Sequence, residues 1–569
     1  MSRKLMLVLA TAAALAACKR ENTDAPAAAA PAPETPAGYA FVPEITEGDF
    51  AELVKTLASD EFEGRAPGSL GEEKTVAYLE AQMKRIGLQP GNGDSYFQDV
   101  PMIESTAAPE STLTLATAGQ PRDLKFGTDY VIGTRTGKTE VKLDASEVVF
   151  VGYGVDAPER KWNDYAGQDW TGKTVVILVN DPGFHSNDET LFDGKRMTYY
   201  GRWTYKFEEA ARKGAAAALI VHDTPGASYG WDVVRNSWSG PQYDLPAADD
   251  PEPRLPVQGW LSADAARQLF ADAGLDLDAA YKSASRPGFK PVPLKAKLSV
   301  DLKSTIAEKK SRNVIGVLPG TTRADEAVIY MAHWDHLGKH EGQHSDDGAG
   351  DNIYNGAIDN ATGVAGILEI AEAFVAQNPK PERSVAFIAV TLEESGLLGS
   401  KYYVAHPTFA LDKIAGVVNL DAMSVAGRSR DMVVTGFGAS ELEDILKPIA
   451  AEQGRTLRGE TSVQSGFYFR SDHFNFAKAG VPALYAKGGD DLVEGGTEAG
   501  KRAADDYARH YHGPGDQYYP ETWKIDGTVQ DLEALYGVGK ELAGGDRWPN
   551  WYPGSEFKAA RDRMMKPAE

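Results

Sequence analysis

The chain of 569 residues contains one cysteine, Cys18. A single thiol excludes intrachain disulfides and excludes zinc sites built from several thiolates. An excess of positive charge is also missing: 59 Lys and Arg stand against 82 Asp and Glu, a net charge of −23. That balance excludes nucleic acid as the expected partner, because nucleic-acid binders present a basic face. Outside residues 1–18 there is no long apolar run, which excludes a polytopic membrane protein. Hydrophobic residues at 42% and charged residues at 25% are ordinary values for folded chains, so wholesale disorder is excluded too. A chain of this length is expected to form two or three domains.

Residues 1–18 read MSRKLMLVLATAAALAAC. Arg3 and Lys4 form a positive stretch and Leu5 to Ala14 a short apolar one. Leu15-Ala16-Ala17-Cys18 then matches a bacterial lipoprotein signal box, in which the cysteine is acylated and becomes the first residue. The apolar stretch is too short for a comfortable membrane span. Lys19, rather than Asp, resembles the pattern of lipoproteins sent to the outer membrane. The expectation is a signal peptide over 1–17 and a lipidated Cys18 followed by a tether over 18–44. The protein would be exported and anchored to the envelope through Cys18, on the periplasmic face of the outer membrane. With Cys18 acylated no thiol remains, which also excludes a cysteine nucleophile. The tether, KRENTDAPAAAAPAPETPAG, is Pro/Ala-rich and has no apolar period.

Folding is expected to begin near Phe50, with Leu53, Leu57 and Phe62 at helical spacing. A Gly/Pro-rich turn over 64–71 opens an amphipathic helix over about 72–86, closed by Gly87. Arg65 and Gly68 are read as shaping that turn beside the next domain. Over 141–290 the texture changes to short buried-strand runs (VVFVGYG, TVVILVND, AAAALIVHD) between Trp/Tyr-rich loops, with a helix over 205–213. This reads as a β-rich domain inserted into another. Its strings DYAGQDWTGKTVVILVNDPG and EEAARKGAAAALIVHD resemble the protease-associated domain, which is normally a non-catalytic lid or substrate-binding module. No cluster of histidines and carboxylates lies inside it.

After about 300, strands at 313–318, 327–333, 384–392, 414–421, 432–435 and 481–486 alternate with helices at 361–376, 399–404 and 441–452. That rhythm predicts an α/β fold with a mostly parallel or mixed central sheet flanked by helices. The domain plan is thus 45–140 for the N-terminal part of this domain, 141–290 for the insert and 291–569 for the rest.

Ligands of open α/β sheets bind beyond the carboxyl ends of the strands. Those ends carry His333, Asp335 and His336; Glu393 and Glu394; and Asp421. Asp359 precedes a helix with a small-residue start, and a late loop supplies His512. Taken singly, such a His is usually a hydrogen-bonded polar residue, a Glu pair a solvated surface, and an Asp before a helix a cap. Together they crowd one sheet edge, where carboxylates repel unless a cation joins them. With no cysteine available the set points to zinc or a similar divalent ion, and its size suits two ions bridged by a carboxylate. The loop 338–351 (GKHEGQHSDDGAGD) reads as a solvated rim.

The strings AHWDHLG, NGAIDNATG, TLEESGLLGS, VVNLDAM and YHGPGD, in this order, resemble the co-catalytic dizinc aminopeptidases, a family that also holds the glutamate carboxypeptidases and the transferrin receptors. FEGRAPGSLGEEKTVAYL and the inserted domain fit the same resemblance, which covers about 45–545. It implies two Zn2+ per chain, with Co2+ or Mn2+ as substitutes, and peptide substrates. Residue by residue it implies that Asp359 bridges both metals, that His333 and Asp421 complete one, and that Glu394 and His512 complete the other. Glu393 would be the general base, and Asp335 would hold the other nitrogen of His333. Asp472 and His473 match a rim segment, where they would touch substrate or support the metal shell, and His336 would stand behind the ligands. An aminopeptidase is the expected activity. A carboxypeptidase for acidic dipeptides would need a basic pocket, for which Arg470 is the nearest candidate. A one-zinc glutaminyl-cyclase-like acyltransferase and a receptor-like binding protein are disfavoured because every ligand position is filled.

Overall fold

The computed structural model describes residues 39–566, apart from 118–119, 187, 251 and 340–351. The signal stretch with Cys18, nearly all of the tether and most of the 338–351 loop lie outside the described residues. Among the described residues no helix is long and apolar enough to cross a membrane.

The N-terminal helix Glu47–Leu57 buries Phe50, Leu53, Val54 and Leu57, one face at helical spacing. Its cap is Thr46, whose side chain accepts from the Asp49 amide. Helix Leu70–Ile86 is capped in the same way by Ser69 and ends at Gly87, whose φ of 95° suits a residue without Cβ. Both helices pack with Thr362–Ala376 on one face of the main sheet.

That sheet is mixed. From one side its order is 304–318, Arg383–Val390, Arg323–His333, Ile414–Asn419, Ala483–Gly488, Asp431–Val434 and Thr456–Gly459. The four strands from Arg383–Val390 to Ala483–Gly488 run parallel. Arg383–Val390 and Ile414–Asn419 are buried at every residue, and Arg323–His333 from Ala327 onward, as expected of parallel strands covered on both faces.

A second sheet contains the parallel strands Thr174–Leu178, Ala217–Val221 and Val257–Leu261, which carry the apolar runs seen in the sequence. It also takes in Thr112–Thr117, Gln120–Asp123 and Tyr130–Gly133, so its strands begin upstream of residue 141. The strand Val292–Leu318 belongs to both sheets: 296–301 pairs with Thr112–Thr117, and 314–318 pairs with Arg383–Val390.

Candidate metal centre

The parallel strands end side by side. His333 closes Arg323–His333, Glu393 and Glu394 follow Arg383–Val390, and Asp421 follows Ile414–Asn419. Asp359 sits in the irregular turn Ala357–Ala361 that leads into helix Thr362–Ala376. His512 arrives from the far end of helix Gly496–His510 and takes a left-handed φ of 55°.

These side chains converge. Asp359 lies between two imidazoles, with Oδ1 3.2 Å from His333 Nε2 and Oδ2 3.3 Å from His512 Nε2. His333 Nε2 is also 3.5 Å from Asp421, and His512 Nε2 is 3.0 Å from Glu394 Oε2. The other Glu394 oxygen faces His336 Nδ1 at 2.7 Å. Candidate ligand atoms of His333, Glu393 and Asp421 lie within 4.8 Å of one another, as do those of His336, Asp359 and Glu394. The adjacent glutamates thus point into different groups, from a turn in which the Glu393 carbonyl accepts from the Gly396 and Leu397 amides.

The charge pattern asks for cations. Burial favours the neutral carboxyl in Asp359, but His333 and His512 outweigh it and hold the group well below the usual range. Glu394 is likewise penalised by burial yet held down to about 2, chiefly by His512. His512 itself is lifted to about 10, against burial, by Glu394 and Asp359. Glu393 moves the other way: burial, with Glu394, Asp421 and Asp472 nearby, raises it despite His333. Nε2 of His333 and of His512 lies near carboxylates but makes no hydrogen bond of good geometry, and both atoms are buried. Two imidazoles on either side of one carboxylate, with further acids behind, are the donor set that suits a pair of divalent cations.

Around this core lies a supporting ring. Nδ1 of His333 faces the Asp335 carbonyl at 3.1 Å, while the Asp335 carboxylate is 3.9 Å away. That carboxylate instead accepts from the Glu393 amide, and burial raises it to about 7. His336, expected behind the ligands, holds Glu394 and is fully buried. Asp472 accepts from Ser400 and leaves its other oxygen unpartnered; burial raises it to about 7. His473 is buried beside Tyr468 and Tyr485, 3.4 Å from Asn419, and burial pushes it down to about 3.

Further side chains support this ring. Asp516 accepts from the amides of Ile358 and Asp359 at 2.9 and 3.0 Å, fixing the turn that presents Asp359. Lys487 donates to the Ala422 carbonyl, and Tyr485 to the carbonyl of Asp421. Arg65, buried, donates to the carbonyls of Leu57, Trp334, Asn355 and Gly356, so it ties the His333 segment to the Asp359 turn. Gly356 needs to be glycine: at φ 54° a Cβ would lie 2.2 Å from the Asp359 carbonyl and 2.6 Å from the His336 ring. Asp516 was within reach, because it closes the YHGPGD string; the partners of Lys487 and Arg65 leave no mark in sequence.

A cavity of about 770 Å³ opens beside Glu393 and Glu394 and is walled on the other side by Arg202 and Trp203 of the second-sheet region and by Tyr243, whose strand pairs with Phe97–Ala107.

Residues 313–536 match peptidase family M28. Leucine aminopeptidase 2 of Arthroderma otae is 29% identical over 226 residues, 37% of this chain and 42% of that protein. The glutamate carboxypeptidase 2 homolog of Caenorhabditis elegans is 31% identical over 132 residues, 22% of this chain and 15% of that protein. The chain thus matches less than half the length of these curated relatives. Among solved structures, the aminopeptidase from Aneurinibacillus sp. strain AM-1 superposes with a TM-score of 0.47 at 19% identity, over 89% of this chain and 95% of that one. All the strand-end acids and imidazoles gathered here lie within residues 313–536, the stretch that matches peptidase family M28.

Proposed function

We propose that the chain is a dizinc exopeptidase that removes N-terminal residues from peptides. The observation that carries this reading is Asp359, held between the unpartnered Nε2 atoms of His333 and His512. His333 and Asp421 would hold one ion and Glu394 and His512 the other, with Asp359 shared. Bound there, two divalent cations supply an acidified water and stabilise the oxyanion that develops on the scissile carbonyl. Glu393, half-buried beside His333 and Asp421, takes the proton of the attacking water and delivers it to the leaving amine. Asp335 positions it, by accepting from the Glu393 amide and by placing its own carbonyl against His333. The region 141–290 serves as a protease-associated wall of the substrate cavity, a role supported by the position of Arg202 and Trp203 in its lining.

Hydrolysis of a panel of N-terminally free and blocked peptides by the zinc-loaded protein tests the activity, with free termini alone expected to be cleaved. Metal analysis is expected to give about two ions per chain, and one ion in fully active protein would overturn the dizinc reading. We further place the protein outside the cytoplasm, held by a lipid on Cys18. Cys18→Ala is expected to move it from membranes to the soluble exported fraction, and unchanged membrane association would overturn the anchor.

A further inference from the structure

The cavity beside Glu393 and Glu394 is lined by basic residues from both parts of the chain. Most of them are neutralised in place. Arg135 meets Asp244 at 3.0 Å, Arg254 meets Asp250 at 3.2 Å, Lys401 meets Asp250 at 2.5 Å, and Lys478 meets Glu208 at 3.0 Å. Arg202 and Arg470 differ: among the described residues neither forms an ion pair with a carboxylate. Arg202 is 8% exposed, and its Nε is buried with no hydrogen-bond partner. Arg470 likewise has Nε and Nη2 buried and unpartnered. Arg470 stands over the rings of Phe467 and Tyr229, at 5.3 and 5.9 Å from their centroids. Ring contacts of this kind hold a guanidinium but consume none of its N–H donors.

Leaving two like charges desolvated in one cavity is unfavourable for the empty protein. Burial lowers the proton affinity of Arg202 to about 9, and the charge on Arg470 adds to the effect. Burial lowers Arg470 as well. The neighbouring cations show that the chain supplies carboxylates where it needs them in this cavity. The missing partner is therefore sought in what the cavity receives. A guanidinium presents its donors as a fork that matches a carboxylate.

We propose that Arg202 and Arg470 together form an anion subsite that binds a carboxylate of the peptide substrate, either its C-terminal group or an acidic side chain. The proposal rests on the peptidase reading, because the cavity adjoins Glu393 and Glu394. It makes the region bearing Arg202 a determinant of which peptides are bound, and it favours short peptides whose C-terminus reaches the arginines.

Binding separates the subsite from the chemistry. The full-length, zinc-loaded Glu393→Gln protein is titrated with Leu-Leu, Leu-Leu-amide and Leu-Glu-amide. Charge-assisted hydrogen bonds to a desolvated carboxylate are expected to favour one carboxylate-bearing ligand over Leu-Leu-amide by about 10- to 100-fold in Kd. Preference for Leu-Leu identifies the C-terminal group, and preference for Leu-Glu-amide the side chain; both support the subsite. Adding Arg202→Gln or Arg470→Gln is expected to shrink the preference to less than about threefold. Equal Kd values for all three ligands overturn the proposal without any variant, so it survives a variant that fails to fold. A preference retained in both folded variants also overturns it. Leucyl-anilide hydrolysis by the zinc-loaded wild-type chain is measured separately, and its absence would count against the peptidase reading and not the subsite.

Discussion

In the second-sheet region, Asp164 accepts from the Val155 amide and Trp162 Nε1, and Asp181 accepts from the amide and hydroxyl of Thr198. Lys206 supplies a buried positive charge beside them and spends its own donors on the carbonyls of Tyr153 and Asn180. At the edge of the main sheet, Asp335 and Asp472 are buried as deeply, but each leaves an oxygen unpartnered, and four histidines leave Nε2 unpartnered. Burial raises Asp164, Asp181, Asp335 and Asp472 alike to about 7, so proton affinity does not separate the two clusters. Completion does. A buried acid whose oxygens are all bonded within the chain holds the fold together, whereas Asp335 and Asp472 each leave an oxygen open beside the candidate metal ligands.

The largest effects should fall on the open cluster. Glu393→Gln keeps shape but cannot accept a proton, so kcat is expected to fall by about 100- to 10,000-fold with metal content near wild type. Glu394→Gln should instead lose metal, measurable by elemental analysis, and recover part of its activity in excess zinc. Exchanged phenotypes would mean that the two carboxylates carry each other's roles. On the closed cluster, Lys206→Met strands two acids and should cost about 3 kcal/mol in a denaturant titration. Unchanged stability there would break the contrast between the clusters. Asp516→Asn should weaken metal binding by about 10-fold in a chelator competition, because one of the two amides of the Asp359 turn loses its acceptor.

The smallest effect concerns Glu369, buried on helix Thr362–Ala376 with Oε1 unpartnered and Oε2 accepting from the Thr46 amide. Burial raises it from 4.5 to about 9. The folded chain therefore holds a proton that the unfolded chain releases above about 4.5, and stability from this group declines as pH rises from there toward 9. Glu369→Gln should raise the thermal midpoint at pH 8 by on the order of 1 °C and change it less at pH 5.

Much of this was legible in sequence, because parallel strands buried on both faces read as apolar runs whose ends are easily found. That is why His333, Glu393, Glu394 and Asp421 can be gathered from sequence, whereas Asp359 and His512 come from a helix entry and a late loop and join them through the resemblance. Helix Gly496–His510 escaped because it buries only Gly500 and so has no apolar stripe. Asp335 was expected to hold the other nitrogen of His333; in the fold its carbonyl lies nearer to that nitrogen than its carboxylate does. Arg202 escaped for a different reason: its relation to Arg470, the nearest basic candidate in sequence, spans a separation that no local pattern encodes. The second sheet starts upstream of 141 because its first strands, such as Thr112–Thr117, alternate in burial and carry no continuous apolar run.

The strand Val292–Leu318 passes from one sheet into the other without a break and pairs with Phe97–Ala107 over 304–314. A continuous ladder of this kind works like the beam of a caliper. The jaws are the strand ends of the main sheet and the wall bearing Arg202, and their spacing is fixed by backbone hydrogen bonds that form when the chain folds. The distance between the jaws is therefore a property of the folded backbone itself, set once by strand pairing.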